Sequence, residues 1–285
     1  MNVRQVKRKI KSIGNVKKIT KAMEMVSAIK MRKAQQVEIE GRPYWTHLDL
    51  IMKRIIPGAD ATTSPLLSIS KKIKSNKNLL ICITSNKGLC GSYNVNLLRF
   101  LIKNIDIKNS DFITIGKKGS QFLARTKTTV IADFSDAAPL GQVTAIANLA
   151  LEKYLLGEYA KVILIYTKFI STLKSEPLVE TLVPVEYKPD DQTNSKPLVN
   201  YLVEPSEQEI IDFLLRSYIE DKIRSAIISS EAVEHSARMI AMKNATDNAN
   251  EVIYNFTLLG NRLRQEKITN ELLDMVTAKE SVEAT

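Results

Sequence analysis

Glu231, Glu234 and His235 fall three and four residues apart in a helical pattern. That geometry could bring two carboxylates and an imidazole to one metal ion, but no second histidine stands at the matching spacing, so the trio reads as an exposed polar face. The segment Ser85-Asn86-Lys87-Gly88-Leu89-Cys90-Gly91-Ser92 lies between an apolar run and a helical pattern, where an α/β fold places a phosphate-binding turn. It holds neither G-x-x-x-x-G-K-[ST] nor G-x-G-x-x-G, and no acidic ribose partner stands out downstream, so it reads as a tight turn. Asp190-Asp191 sits among prolines and reads as exposed loop. Cys82 and Cys90 fit neither a zinc spacing nor a C-x-x-C pair and read as reduced thiols of an intracellular chain. His47 and His235 are isolated. None of these sets assembles an active site, and no cofactor or metal is expected.

Charge is more informative. Net charge is +10, and residues 1–40 alone hold eleven basic side chains against three acids, Glu24, Glu38 and Glu40. The excess on one segment implies an acidic partner: nucleic acid, anionic lipid or an acidic protein surface. Arg262, Arg264, Gln265, Lys267, Thr269, Asn270 and Glu271 make a second dense polar stretch, inside a helix whose seam should be buried, which suggests a polar partner there too.

The elements that position these groups follow from periodicity. Val3, Val6, Ile10, Ile13, Val16, Ile19, Met23 and Val26 recur at threes and fours, a helix with a narrow apolar seam. Three consecutive threes from Ile10 to Ile19 predict a stammer in the heptad. Gly14 weakens this helix by roughly 1 kcal/mol relative to alanine. Gly41-Arg42-Pro43 predicts a kink or break, with helix resuming over Tyr44–Ile56 and stopping at Pro57-Gly58. Residues 57–77 read as a connecting loop.

Leu79–Thr84 is a short β-rich run, followed by helix over Val95–Ile105, strand over Phe112–Ile115, helix over Lys118–Arg125, strand over Thr129–Phe134, helix over Gln142–Leu156 and strand over Lys161–Tyr166. Such alternation predicts a mostly parallel sheet covered by helices. Leu178–Tyr187 reads as an edge strand because it contains Pro184, and residues 188–205 as a second linker. From Ser206 to Met275 there is no proline. As one helix it would span about 105 Å, the length of a coiled coil. Ser230, Ala237, Ala241, Ala245 and Ala249 would let another helix approach its seam closely. The expected fold is therefore α/β with a long antiparallel coiled coil of the terminal helices, 1–57 and 206–285, and an inserted Rossmann-like domain at 77–188.

No stretch is apolar enough to cross a membrane and no secretory signal is present, so a secreted protein is not expected. The basic start is poor in serine and runs straight into helix, which argues against a transit peptide.

Lys17-Lys18-Ile19-Thr20-Lys21-Ala22-Met23-Glu24-Met25-Val26-Ser27-Ala28 with Lys30-Met31-Arg32-Lys33-Ala34-Gln35 resembles the N-terminal signature of the gamma subunit of F-type ATP synthase. Thr84–Gly91 is similar to that family's second motif, and Glu231 with Glu234–Met239 and Ala241–Ala249 to its third. Arg264-Gln265, Ile268-Thr269 and Glu271-Leu272 resemble its closing signature.

The resemblance implies a non-catalytic rotor stalk. Its coiled coil would sit inside a ring of alpha and beta subunits, with the α/β domain beside the epsilon subunit and the c-ring. Ion flow, of protons or sodium, would turn it and drive the beta subunits through different states. By the same resemblance Met23 faces an acidic segment of beta, and Lys17, Lys18, Lys21, Lys30, Arg32 and Lys33 attract acidic partners. Arg264, Gln265, Thr269 and Glu271 contact a beta loop higher up. The implied location is peripheral, on the cytoplasmic side of a bacterial inner membrane, and nucleic acid is not an expected partner. Two departures bear on fit: Leu259-Gly260 stands where the family has an aromatic residue, which predicts a less rigid helix, and the tail after Met275 is polar. No segment resembles the chloroplast regulatory dithiol loop. A nucleic-acid-binding coiled coil and an enzyme built on the α/β domain are the rival readings.

Overall fold

The computed structural model describes residues 2–55, 64–67, 76–136, 138–185 and 207–283. The linker at 188–205, Asp190-Asp191, and most of the loop at 57–77 lie outside them. The chain divides into two compact units, Met1–Ser27 with Arg238–Thr285, and Ala28–Ala237.

The first unit is a helix pair. Helix α1, Val3–Ile55, contributes its first half and helix α5, Glu207–Glu283, its second. Val6 packs at Gly260, Lys9 Nζ stands 5.4 Å from the Phe256 ring centroid, and Thr20 meets Thr246. Each step up α1 is matched by a nearly equal step down α5, so the helices run antiparallel in constant register.

On α1 the seam runs through Val3, Val6, Ile10, Ile13, Lys17, Thr20, Glu24 and Ser27, alternating threes and fours, with Gly14 and Met23 half-buried at its flank. On α5 it runs through Met242, Thr246, Ala249, Ile253, Phe256, Gly260 and Leu263, alternating fours and threes, with Ala241, Ala245 and Leu259 half-buried at its flank. This is an uninterrupted heptad, and it corrects the expected stammer. Val16, Ile19 and Val26 are 50%, 59% and 53% exposed. The apolar residues leave the seam while Lys17, Thr20, Glu24 and Ser27 carry it on, with Met23 half-buried beside them. Gly14 meets no atom within 4 Å of an added Cβ, so its cost is propensity alone.

α5 runs past Val3, and residues 264–279 are all exposed. Ile268, Leu272, Leu273, Met275 and Val276 form an apolar stripe there, off the positions that continue the seam. The dense polar stretch from Arg264 onward therefore lies beyond the buried seam, not within it. The helix continues through Gly260 without a break.

The second unit carries the sheet. Strands β1 (Asn78–Ile83), β2 (Ser110–Ile115), β3 (Val130–Asp133), β4 (Lys161–Phe169) and β5 (Ser175–Val183) lie in the order β3-β2-β1-β4-β5. β1 to β4 pair in parallel, and β5 joins the edge antiparallel to β4. Helices α2 (Tyr93–Asn104), α3 (Lys117–Arg125) and α4 (Val143–Leu155) connect them. Pro184 follows β5 directly, while Pro177 lies within β5, where an edge strand tolerates a missing donor.

Alternation along β1 sorts the core into two layers. Leu79, Ile81 and Ile83 join α4 (Ile146, Tyr154), α5 (Ile211, Leu215, Ile219, Ile223) and α1 (Leu48, Met52). Leu80 and Cys82 join α2 (Leu97, Leu101) and α3 (Leu123) on the other face. Each such buried aliphatic side chain contributes about 1.5–3 kcal/mol. Leu66, from the stretch read as connecting loop, is buried in the first layer, and its carbonyl accepts from Val185 N at 2.9 Å.

α1 does not break at Pro43; the helix continues to Ile55. An interior proline costs about 3 kcal/mol. Met31, Ala34, Leu48 and Met52 are buried on one face and outweigh that loss. Thr46 Oγ1 donates to Arg42 O at 2.8 Å and His47 Nδ1 to Pro43 O at 2.6 Å.

Candidate functional site

Two places were candidates for chemistry, the turn after β1 and the polar face of α5. The turn is closed upon itself. Ser85 N donates to Asn94 Oδ1 at 3.1 Å, and Asn94 Nδ2 donates to Ser85 Oγ at 2.7 Å and Cys90 Sγ at 3.2 Å. Leu89 and Gly91 take left-handed backbone, φ 62° and 57°. Asn86 Oδ1 accepts from Lys117 N at 3.0 Å. These groups are spent on structure and do not form a cradle open to phosphate.

The crevice beyond the strand ends, where doubly wound folds bind ligands, is filled by α5. β4 outruns β1: Ile165 is its last residue paired to β1, so Thr167 and Phe169 need other partners on that side. Phe169 N donates to Ser229 Oγ at 2.7 Å and Thr167 N to Ser230 Oγ at 3.4 Å. Ser236 Oγ donates to Thr172 O at 2.6 Å. Val233 packs with Cys90, Tyr93 and Phe169. Ser230, expected to admit another helix, instead docks a strand. These serines were not picked out as strand anchors, because a serine on a helix carries no signal of the strand edge it will meet.

The trio of α5 is half-buried rather than exposed. Among the described residues no cluster of three or more His, Cys, Asp or Glu could hold a metal. Burial raises the Glu231 carboxyl, Glu234 adds to the rise, and Lys30 on α1 opposes it. Cys82 and Cys90 are free and buried, and burial pushes the Cys82 thiol up to about 12.

The residues expected to touch partners lie on α1 and the far end of α5. Lys18, Lys21, Lys30, Arg32 and Lys33 are exposed on α1, whereas Lys17 is half-buried in the seam. Lys21 Nζ pairs with Glu24 at 2.9 Å. Met23 is half-buried. Arg264, Gln265, Thr269 and Glu271 are exposed, with Glu271 paired to Lys267 at 3.3 Å and Thr269 Oγ1 donating to Gln265 O at 3.0 Å. Most of these side chains are thus surface groups of α1 and α5, with Lys17 and Met23 partly covered.

A helix pair in fixed antiparallel register, one member projecting beyond the other, with a parallel-sheet unit whose ligand crevice is filled by its own helix, defines a structural subunit. Comparison with known proteins specifies which. A family model described as "ATP synthase" matches residues 2–282. The ATP synthase gamma chain of Clostridium perfringens is 38% identical over 282 residues, covering 97% of both chains. That of Pelotomaculum thermopropionicum is 36% identical over 287 residues, covering 99% of both. A chain in the Euglena gracilis mitochondrial ATP synthase structure containing OSCP, F1 and the c-ring aligns with TM-score 0.70 and 20% identity, covering 99% of this chain and 95% of that one. A chain in the Tetrahymena thermophila central stalk and c-ring structure aligns with TM-score 0.60 and 24% identity, covering 80% and 99%. These two alignments establish a shared fold. The chain belongs to the ATP synthase gamma chain family.

Proposed function

We propose that this chain is the central rotor stalk of an F-type ATP synthase, coupling ion-driven rotation of the c-ring to conformational change in the catalytic beta subunits. It is itself non-catalytic, and the chemistry belongs to its neighbours. The observation that carries this reading is the antiparallel pair with constant register and a projecting α5, in a chain of this family. A rotor needs only differential contact, each angle favouring a different partner state. Residues 1–57 and 206–285 serve as the stalk helices and 77–188 as the attached domain.

The partners are the alpha–beta hexamer, the epsilon subunit and the c-ring. Contact runs through Lys18, Lys21, Met23, Lys30, Arg32 and Lys33 on α1, and through Arg264, Gln265, Thr269 and Glu271 on α5; Lys17 acts from the seam. Exposed lysines and arginines attract acidic surfaces, an attraction that salt weakens. Among the described residues no helix is long and apolar enough to cross a membrane. The reading has the chain reach the bacterial inner membrane, on its cytoplasmic side, through the complex.

Mixing the purified chain with matched alpha and beta subunits tests the proposal. A stoichiometric complex with ATPase activity is expected, and failure to assemble with matched partners would remove it.

A further inference from the structure

Trp45, the chain's single tryptophan, forms one wall of a cavity of about 360 Å³ between α1 and α5 in the second unit. Helical side chains lean toward the preceding turn, and this indole reaches back across residue 41. A Cβ on Gly41 would lie 2.7 Å from Trp45 Cε2, so glycine there is what lets the ring lie down. Tyr218 of α5 supplies another aromatic wall.

One carboxylate oxygen of the lining lacks a partner. Asp221 Oδ2 is buried and makes no hydrogen bond among the described residues. Asp221 Oδ1 stands 3.8 Å from Arg224 Nε, and Tyr44 of α1 lends the carboxylate a hydrogen bond. Lys222 is committed elsewhere, with Nζ 2.7 Å from Glu180 and 5.3 Å from the Tyr218 ring centroid. Asp49 lines the same space, and Glu220 adds its field to Asp221.

Aromatic faces attract cations, and an orphan carboxylate oxygen accepts a charged N–H strongly. We propose that this cavity binds a small organic cation, an ammonium or amidinium on a flat apolar body, with Asp221 Oδ2 accepting its N–H and Trp45 and Tyr218 enclosing its body. The volume falls within the roughly 300–1,000 Å³ of small-ligand pockets. Burial raises the Asp221 carboxyl, with Arg224 and the Tyr44 hydrogen bond opposing the rise. The site is independent of the rotor reading.

Trp45 makes the test direct, because no other tryptophan contributes to the fluorescence. The full chain is titrated with benzamidine, and in parallel with benzamide and benzoate, which share its shape but are neutral or anionic. A saturable change with benzamidine alone is expected. Asp221→Asn should raise its midpoint by about tenfold or more, the loss of one charge-assisted hydrogen bond, and Tyr218→Ala should raise it while keeping the charge. An equal response to benzamide, no saturable response, or an unchanged midpoint in Asp221→Asn overturns the proposal. If that variant does not fold, the comparison of the three probes on the unaltered chain decides alone.

Discussion

The Thr20 hydroxyl lies 2.8 Å from the Thr246 hydroxyl across the paired helices. Each also reaches a carbonyl on its own helix, Thr20 to Lys17 O at 3.0 Å and Thr246 to Met242 O at 2.8 Å. Two protons cannot serve three contacts at once. One of the three contacts therefore lacks a proton at any moment, and the pair meets across the seam in a stretch where Lys17, Glu24 and Ser27 offer little apolar burial.

Thr246→Val should destabilise the chain by about 1 kcal/mol, the usual cost of one lost hydrogen bond. Thr20→Val should cost a similar amount. The double variant should lose less than both together by about 0.5 kcal/mol or more, since residues in contact couple. Strict additivity in thermal or urea unfolding would show that the hydroxyls do not interact.

Two glycines of this unit should respond oppositely to substitution. Gly14→Ala meets open space and should stabilise by roughly 0.5–1 kcal/mol through helix propensity. A Cβ at Gly260 would lie 3.3 Å from Val6 Cγ1, and Val6 is 1% exposed with little room to yield. Gly260→Val should therefore cost about 1–3 kcal/mol from overpacking, recovered in part by Val6→Ala. Equal melting shifts for Gly14→Ala and Gly260→Val would contradict the packing described.

Much of the sheet unit was legible in the sequence. Strands such as Leu79–Ile83 are buried on both faces, so their apolar runs are continuous and short, and the intervening helices stand out by contrast. The long helices were legible in extent but not in facing. Counting apolar residues led through Val16 and Ile19, which face outward, whereas the seam passes through Lys17 and Thr20. Counting strict threes and fours from Val3, whatever the residue type, would have found it. Pro43 does not break the helix because local propensity is outweighed by the packing of Leu48 and Met52. The cavity at Trp45 was invisible because Gly41, Trp45 and Asp221 meet only once two distant segments pair.

Asp221 gives a pH signature. Burial lifts its folded-state pKa above the ordinary 3.8, so between those values the folded chain binds more protons than the unfolded one. Stability must then fall as pH rises through that window, and the penalty persists at neutral pH. Asp221→Asn should be more stable than the parent at pH 7, with the gap closing as pH drops below 3.8. A constant gap across pH in thermal melts would exclude this origin.

Met23 is half-buried beside the seam, so Met23→Lys adds a charge near the surface without emptying a core. Its melting temperature should stay close to that of the parent. In the assembled complex, ATP hydrolysis should become poorly coupled to ion pumping. A large loss of stability in the isolated chain would reassign Met23 to internal packing.

Beyond Leu263 a single backbone ladder carries α5, with no second strand of this chain alongside among the described residues. Torsion applied there is resisted only by the hydrogen bonds of that one helix, while below it two helices share the strain. Twist would therefore accumulate first in the solitary segment, making it the softest spring in the helix pair.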